Sequence, residues 1–156
     1  MEKIRTRPFG GSGRNVTPVG LGGEGILRTY GEEAGAAAVI EEAAIQGIAY
    51  FDTAPAYSGS EGYYGTFWRS HPNLRGEIFQ TSKSASRTAM GARADLDRTL
   101  KTLGLDAIDL WQIHDVRTRQ DLVDRGAGRS PRCASPRLRT SQGRAHSQHE
   151  PTDESI

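Results

Sequence analysis

The sequence predicts an α/β fold built on a parallel sheet, and three observations predict it. Short apolar runs at Ile48–Asp52, Ile78–Lys83 and Ile108–His114 alternate with stretches of helical character. The runs end at an even interval, 31 residues from Asp52 to Lys83 and 31 from Lys83 to His114, which is the length of one βα unit. Each run also ends in an ionisable residue. Right-handed crossovers set successive strand ends side by side at one rim, which is where α/β folds carry their chemistry. A solvated strand end would explain any one of Asp52, Lys83 and His114, but it explains the repeat poorly.

Taken in order, the segment Lys3–Val16 holds Gly10-Gly-Ser-Gly13 and reads as a β-hairpin, followed by a short strand over Thr17–Leu21. Glu32–Gln46, rich in Ala and Glu, reads as the first helix, and Glu61–Ser70 as the second. Thr88–Leu103 reads as the third, with Leu96, Leu100 and Leu103 on one face and Gly104 placed to stop it. Strand parity that sends His114 inward turns Trp111 and Ile113 toward the outer helices. Trp68 and Tyr64 read as packing residues, and His71, before Pro72, as a solvated loop residue.

Composition narrows the functional classes. The 156 residues carry 20 Lys plus Arg against 19 Asp plus Glu, a formal charge of +1, so no global field points to nucleic acid or to a membrane surface. The N-terminus has no apolar stretch of signal-peptide length, and no window approaches the roughly 18 apolar residues of a membrane span; a cytoplasmic protein is expected. Cys133 has no second cysteine to pair with, and the histidines at 71, 114, 146 and 149 lack ligand spacing, so no metal site is expected. Residues 1–122 carry 14 basic and 15 acidic side chains, while residues 123–156 carry six and four. The latter segment is rich in Arg, Ser, Pro and Gly and has too little apolar surface to offset its ordering entropy. It is expected to be disordered, and its arginines are too interrupted by prolines and acids to form a nucleic-acid arm.

Two motifs bear on chemistry. Gly20-Leu-Gly22-Gly-Glu-Gly25 matches G-x-G-x-x-G, but Ile26–Gly31 intervenes before any helix. Asp52 also lies 27 residues past Gly25 instead of about 20, which argues against a Rossmann dinucleotide site. A glycine loop that lets a ligand approach the backbone over the first strand is the simpler reading. The second motif combines Asp52-Thr-Ala-Pro-Ala-Tyr57 with Lys83 and His114, a set suited to carbonyl reduction. Hydride arriving at a carbonyl carbon leaves charge on oxygen, which an acid within hydrogen-bond reach must protonate. Tyrosine can be that acid when a nearby cation favours its phenolate. Lys83 would be the cation, Asp52 the carboxylate that keeps it charged, and His114 the donor that orients the carbonyl oxygen.

At these residues the sequence resembles the aldo-keto reductase superfamily. The resemblance covers about residues 15–117, and its three motifs come in the family's order and spacing. Tyr50-Phe-Asp-Thr-Ala-Pro-Ala-Tyr57, followed by Ser60, Glu61 and Gly65, is similar to the segment around the family's catalytic aspartate and tyrosine. Arg75–Lys83 resembles the segment that delivers its lysine, and Asp95–His114 the helix and strand leading to its histidine. The resemblance implies a (β/α)8 barrel of TIM type, NADP(H) bound along the C-terminal rim, and reversible reduction of small aldehydes or ketones without a metal. It also implies Tyr57 as general acid, Asp52 and Lys83 as its tuning pair, His114 as orienter, and Gly23, Glu24 and Asp52 near the nicotinamide ribose.

A complete barrel needs roughly 200 to 250 residues, so only about the first four βα units are expected, over residues 1–122. The abrupt change after Thr118 reads as truncation or a shift of reading frame. Such a half-barrel has open sheet edges and an interior face, with Tyr50, Phe79 and Leu110, that should stay exposed and favour self-association. It should be a poor catalyst alone, and a non-catalytic binding or interaction protein on the same scaffold is the alternative.

Overall fold

The computed structural model describes residues 4–121 together with Leu138–Arg139; the expected tail over 123–156 otherwise lies outside the described residues. The chain opens with the expected hairpin, β1 (Arg7–Pro8) and β2 (Asn15–Val16), paired antiparallel across the glycine turn. Gly10 and Gly13 sit at φ +51° and +70°, which glycine adopts without the Cβ penalty. The strand expected over Thr17–Leu21 shrinks to one parallel bridge. Leu21 N–H donates to Tyr50 O and Asp52 N–H to Leu21 O, both at 2.9 Å.

The sheet is parallel, with β3 (Tyr50–Asp52), β4 (Phe79–Ser84) and β6 (Leu110–Ile113) in that spatial order and the Leu21 bridge outside β3. Three helices follow the expected segments within one residue: α1 (Glu33–Ile45), α2 (Ser60–Ser70) and α3 (Ala89–Leu103). Thr88 caps α3 by accepting from Gly91 N–H, and Gly104 ends it at φ +68°, as a left-handed C-terminal glycine should. The last apolar run is interrupted: β5 (Ala107–Ile108) and β6 flank Asp109, and β5 instead pairs with β7 (Leu138–Arg139).

Strand parity gives the sheet two faces. Phe51, Gln80 and Ser82 are fully buried on the helix side, where Phe51 packs against Tyr64, Phe67 and Trp68, and Trp111 lies against the same core. Leu96, Leu100 and Leu103 of α3 are buried as expected. Trp68 uses its indole N–H on Gln80 Oε1 at 2.9 Å, so the buried amide has a partner. Ile113 is exposed.

On the opposite face the exposure expected for Phe79 does not occur. Phe79 is 1% exposed, and Tyr50 and Leu110 are partly covered. Phe9, at the hairpin turn, packs at a tilt against both Tyr50 and Phe79 at centroid distances of 5.7 and 5.1 Å, and those two rings stack on each other 5.6 Å apart. The hairpin thus caps the N-terminal end of the interior face. Asp109 anchors this end: it is paired with Arg14 of the hairpin (3.1 Å) and Arg75 (2.7 Å), and it accepts from Gln80 N–H. None of these ties was expected from sequence.

Candidate active site

The 31-residue interval brings Asp52, Lys83 and His114 to one face, but along a diagonal. The register pairs Asp52 with Thr81 and Lys83 with Gln112. Each functional residue therefore lies two positions beyond the last, and a two-residue step preserves the face in a strand. His114 follows β6 and donates its backbone N–H to Ser84 O at 2.8 Å, so it remains fixed to the strand end.

Lys83 Nζ lies 2.6 Å from Asp52 Oδ2 and 2.9 Å from Thr53 O. The second carboxylate oxygen, Asp52 Oδ1, accepts from Thr81 Oγ1 at 2.7 Å and from Gln112 Nε2 at 3.2 Å. The pair is partly buried, with side chains 12% and 22% exposed, and the hydrogen bonds on both carboxylate oxygens offset part of its desolvation. Thr81 and Gln112, which the sequence reading did not single out, are the residues that hold Asp52 in place. Their only signal was their position on the same strand face.

Tyr57 stands in the loop between β3 and α2. Lys83 Nζ lies 4.4 Å from its ring centroid, and the His114 ring meets it edge-on at 5.4 Å and 89°. Burial and the Lys83 charge both push the His114 pKa down from its ordinary value. The Tyr57 loop is pinned on its helix side. Thr53 Oγ1 donates to Ser60 Oγ at 2.8 Å, and Glu61 accepts from Ser82 (2.7 Å) and Thr99 (2.9 Å). The sequence thus brings all four candidate residues, Asp52, Tyr57, Lys83 and His114, into one cluster.

The glycine loop packs beside this cluster. A Cβ on Gly23 would stand 2.5 Å from Ser60 Oγ and 3.0 Å from both Asp52 O and Tyr57 Cδ2, whereas one on Gly22 would meet nothing. Gly23 therefore allows the loop to touch the Tyr57 segment, and Gly22 leaves backbone open to an approaching ligand. The loop continues into a 3-10 turn (Gly25–Arg28), not an α-helix, so no Rossmann phosphate turn forms. Glu24 is half exposed and paired with Arg28. A cavity of about 400 Å³ lies between the hairpin and the sheet and reaches Gly20, Gly22, Tyr50 and Asp52. The described residues offer no cluster of metal-binding side chains and no helix long and apolar enough to cross a membrane.

The sequence and the fold have known counterparts. The profile of the Aldo/keto reductase family matches residues 18–130, further than the resemblance read from sequence. L-galactose dehydrogenase of Arabidopsis thaliana is 31% identical over 126 residues, 74% of this chain and 40% of its own. A crystal structure described as an aldo-keto reductase from Pseudomonas aeruginosa is 30% identical, with a TM-score of 0.68 over 78% of this chain and 52% of that one. An aldo-keto reductase from Klebsiella pneumoniae in complex with NADPH shares the fold at 20% identity, with a TM-score of 0.58 over 70% of this chain and 40% of that one. The chain spans less than half the length of the curated relatives it matches.

Proposed function

The chain belongs to the aldo/keto reductase family, and on that premise we propose that its site reduces the carbonyl of a small aldehyde or ketone to an alcohol, with Tyr57 as general acid. It is an oxidoreductase by family, and its fold is the N-terminal part of a (β/α)8 barrel of TIM type. The observation that carries the proposal is the seating of the Lys83 ammonium between the Asp52 carboxylate and the Tyr57 ring, with His114 against the same ring.

NADP(H), when bound, supplies the hydride. Features that support its reactive end binding here are the open backbone at Gly22 and the packing of Gly23 against Asp52 and Tyr57, with Glu24 following in the same loop and paired with Arg28. His114, its proton affinity lowered by burial and by Lys83, is neutral near pH 7 and donates one hydrogen bond to the carbonyl oxygen. As the carbonyl π pair moves onto that oxygen, Tyr57 transfers its phenolic proton to it. Lys83, held by Asp52 and Thr53 O, stabilises the negative charge left on the phenolate. Asp52 fixes the lysine through its own bonds to Thr81 and Gln112.

Among the described residues β6 pairs only with β4 and the Leu21 segment only with β3, and these edges support association of two copies. The alternative, a non-catalytic binding protein on this scaffold, predicts NADPH binding without Tyr57-dependent consumption. Single-turnover reduction of a generic aldehyde, in wild type and in Tyr57→Phe, separates the two readings: loss of the reaction in the variant supports the proposal, and an equal rate overturns it.

A further inference from the structure

We propose that Arg28 is a specificity-determining residue of this site and that it selects carbonyl substrates carrying a carboxylate. The inference rests on the reading of Tyr57 as the residue that meets the carbonyl, and it concerns what binds there.

The Arg28 guanidinium carbon stands 5.6 Å from the Tyr57 ring centroid. Its place is built from below. Leu27, fully buried, anchors the 3-10 turn in the core. The segment that follows is tied to α2, where Tyr63 donates its hydroxyl to Thr29 O at 2.6 Å and accepts from Glu32 N–H at 3.1 Å. The backbone on both sides of Arg28 is therefore held, and only its side chain reaches out beside the site.

The charges around Tyr57 leave Arg28 as the group suited to an anion. Lys83 is matched by Asp52 and Thr53 O. Arg28 is also paired, but through one nitrogen: Nη1 meets both Glu24 oxygens, at 2.9 and 3.2 Å. Nε and Nη2 take no hydrogen bond among the described residues, so one edge of the planar fork is unused. That edge matches a carboxylate bidentately. The Glu24 pair is half exposed, at 52% and 53%; such pairs contribute little, and here Glu24 orients the fork without filling it. A carboxylate on this edge, joined by a short carbon chain to an aldehyde, sets the carbonyl toward Tyr57 and His114.

The same oxyanion chemistry could come from a cofactor phosphate, and the experiment distinguishes the two sources. Succinate semialdehyde, which carries the carboxylate, and butanal, which lacks it, are titrated onto the chain, with binding read from the ring resonances of His114. In the wild type the carboxylate probe is expected to bind at least tenfold more tightly than butanal. Arg28→Gln should collapse that ratio at least fivefold, and Arg28→Lys, which keeps the charge but loses the fork, should retain only part of it. Retention of the ratio in Arg28→Gln, or no saturable binding of succinate semialdehyde to the wild type, overturns the proposal. A loss of NADP+ affinity in Arg28→Gln with an unmoved ratio also overturns it, assigning the fork to the cofactor. Because the readout is binding, the proposal and the assignment of Tyr57 as acid can fail separately.

Discussion

Lys83 and Asp52 form an ion pair across adjacent parallel strands although the sheet register does not place them opposite each other. Asp52 faces Thr81, and the lysine reaches back from two residues further along β4 to a 2.6 Å contact. The diagonal continues to His114, so the long lysine side chain spans the step between carboxylate and tyrosine. A shorter cation at 83 would reach neither.

This pair should show strong energetic coupling. In a double-mutant cycle of Asp52→Asn and Lys83→Met, each single change strands a partly buried partner, and the coupling energy is expected at about 1 to 3 kcal/mol. Urea unfolding of the four proteins measures it. A coupling near zero would mean that solvent screens the pair.

Helix α2 offers a test of packing through two glycines on one element. A Cβ on Gly65 would collide with the Thr102 carbonyl oxygen and stand 3.3 Å from Leu103 Cα, whereas one on Gly62 meets nothing. Gly65→Ala should therefore destabilise by about 1 to 3 kcal/mol through overpacking of α2 on α3. Gly62→Ala should stabilise by roughly 0.5 to 1 kcal/mol. Thermal denaturation of both variants checks the opposite signs.

Glu61 makes stability depend on pH. It is 7% exposed, and burial pushes its pKa up against the lowering effect of the Ser82 and Thr99 hydroxyls. A carboxyl with a raised folded pKa binds more protons folded than unfolded. Its contribution is fully present below the ordinary carboxylate range and is lost as pH rises through the raised value. Glu61→Gln should thus gain stability relative to wild type as pH climbs above about 4.5, seen in urea midpoints taken across pH. A difference that does not change with pH would contradict it.

The legible part of the fold was what local pattern dictates. Leu96, Leu100 and Leu103 at helical spacing marked the buried face of α3, and Gly104 its end. The 31-residue interval marked the strand ends and hence the cluster. Register was not legible, because the two-residue stagger between β3, β4 and β6 is a property of the whole sheet. The packing of Phe9 against Tyr50 and Phe79 depends on a hairpin folding back over residues about 40 and 70 positions away, a long-range contact without a periodic signature. The role of Asp109 is illegible for the same reason: its partners, Arg14 and Arg75, come from distant segments, and it splits a run that reads as one strand.

The most direct test of the assigned acid is single-turnover hydride transfer at high protein concentration, comparing wild type with Tyr57→Phe. Removing one hydroxyl from a side chain that keeps its ring should leave the thermal midpoint within about 3 °C, since the change is worth no more than about 0.5 kcal/mol. The wild type is expected to reduce the aldehyde, with a fall of about 100-fold or more in the variant. Reduction at an equal rate by a folded Tyr57→Phe protein would contradict it.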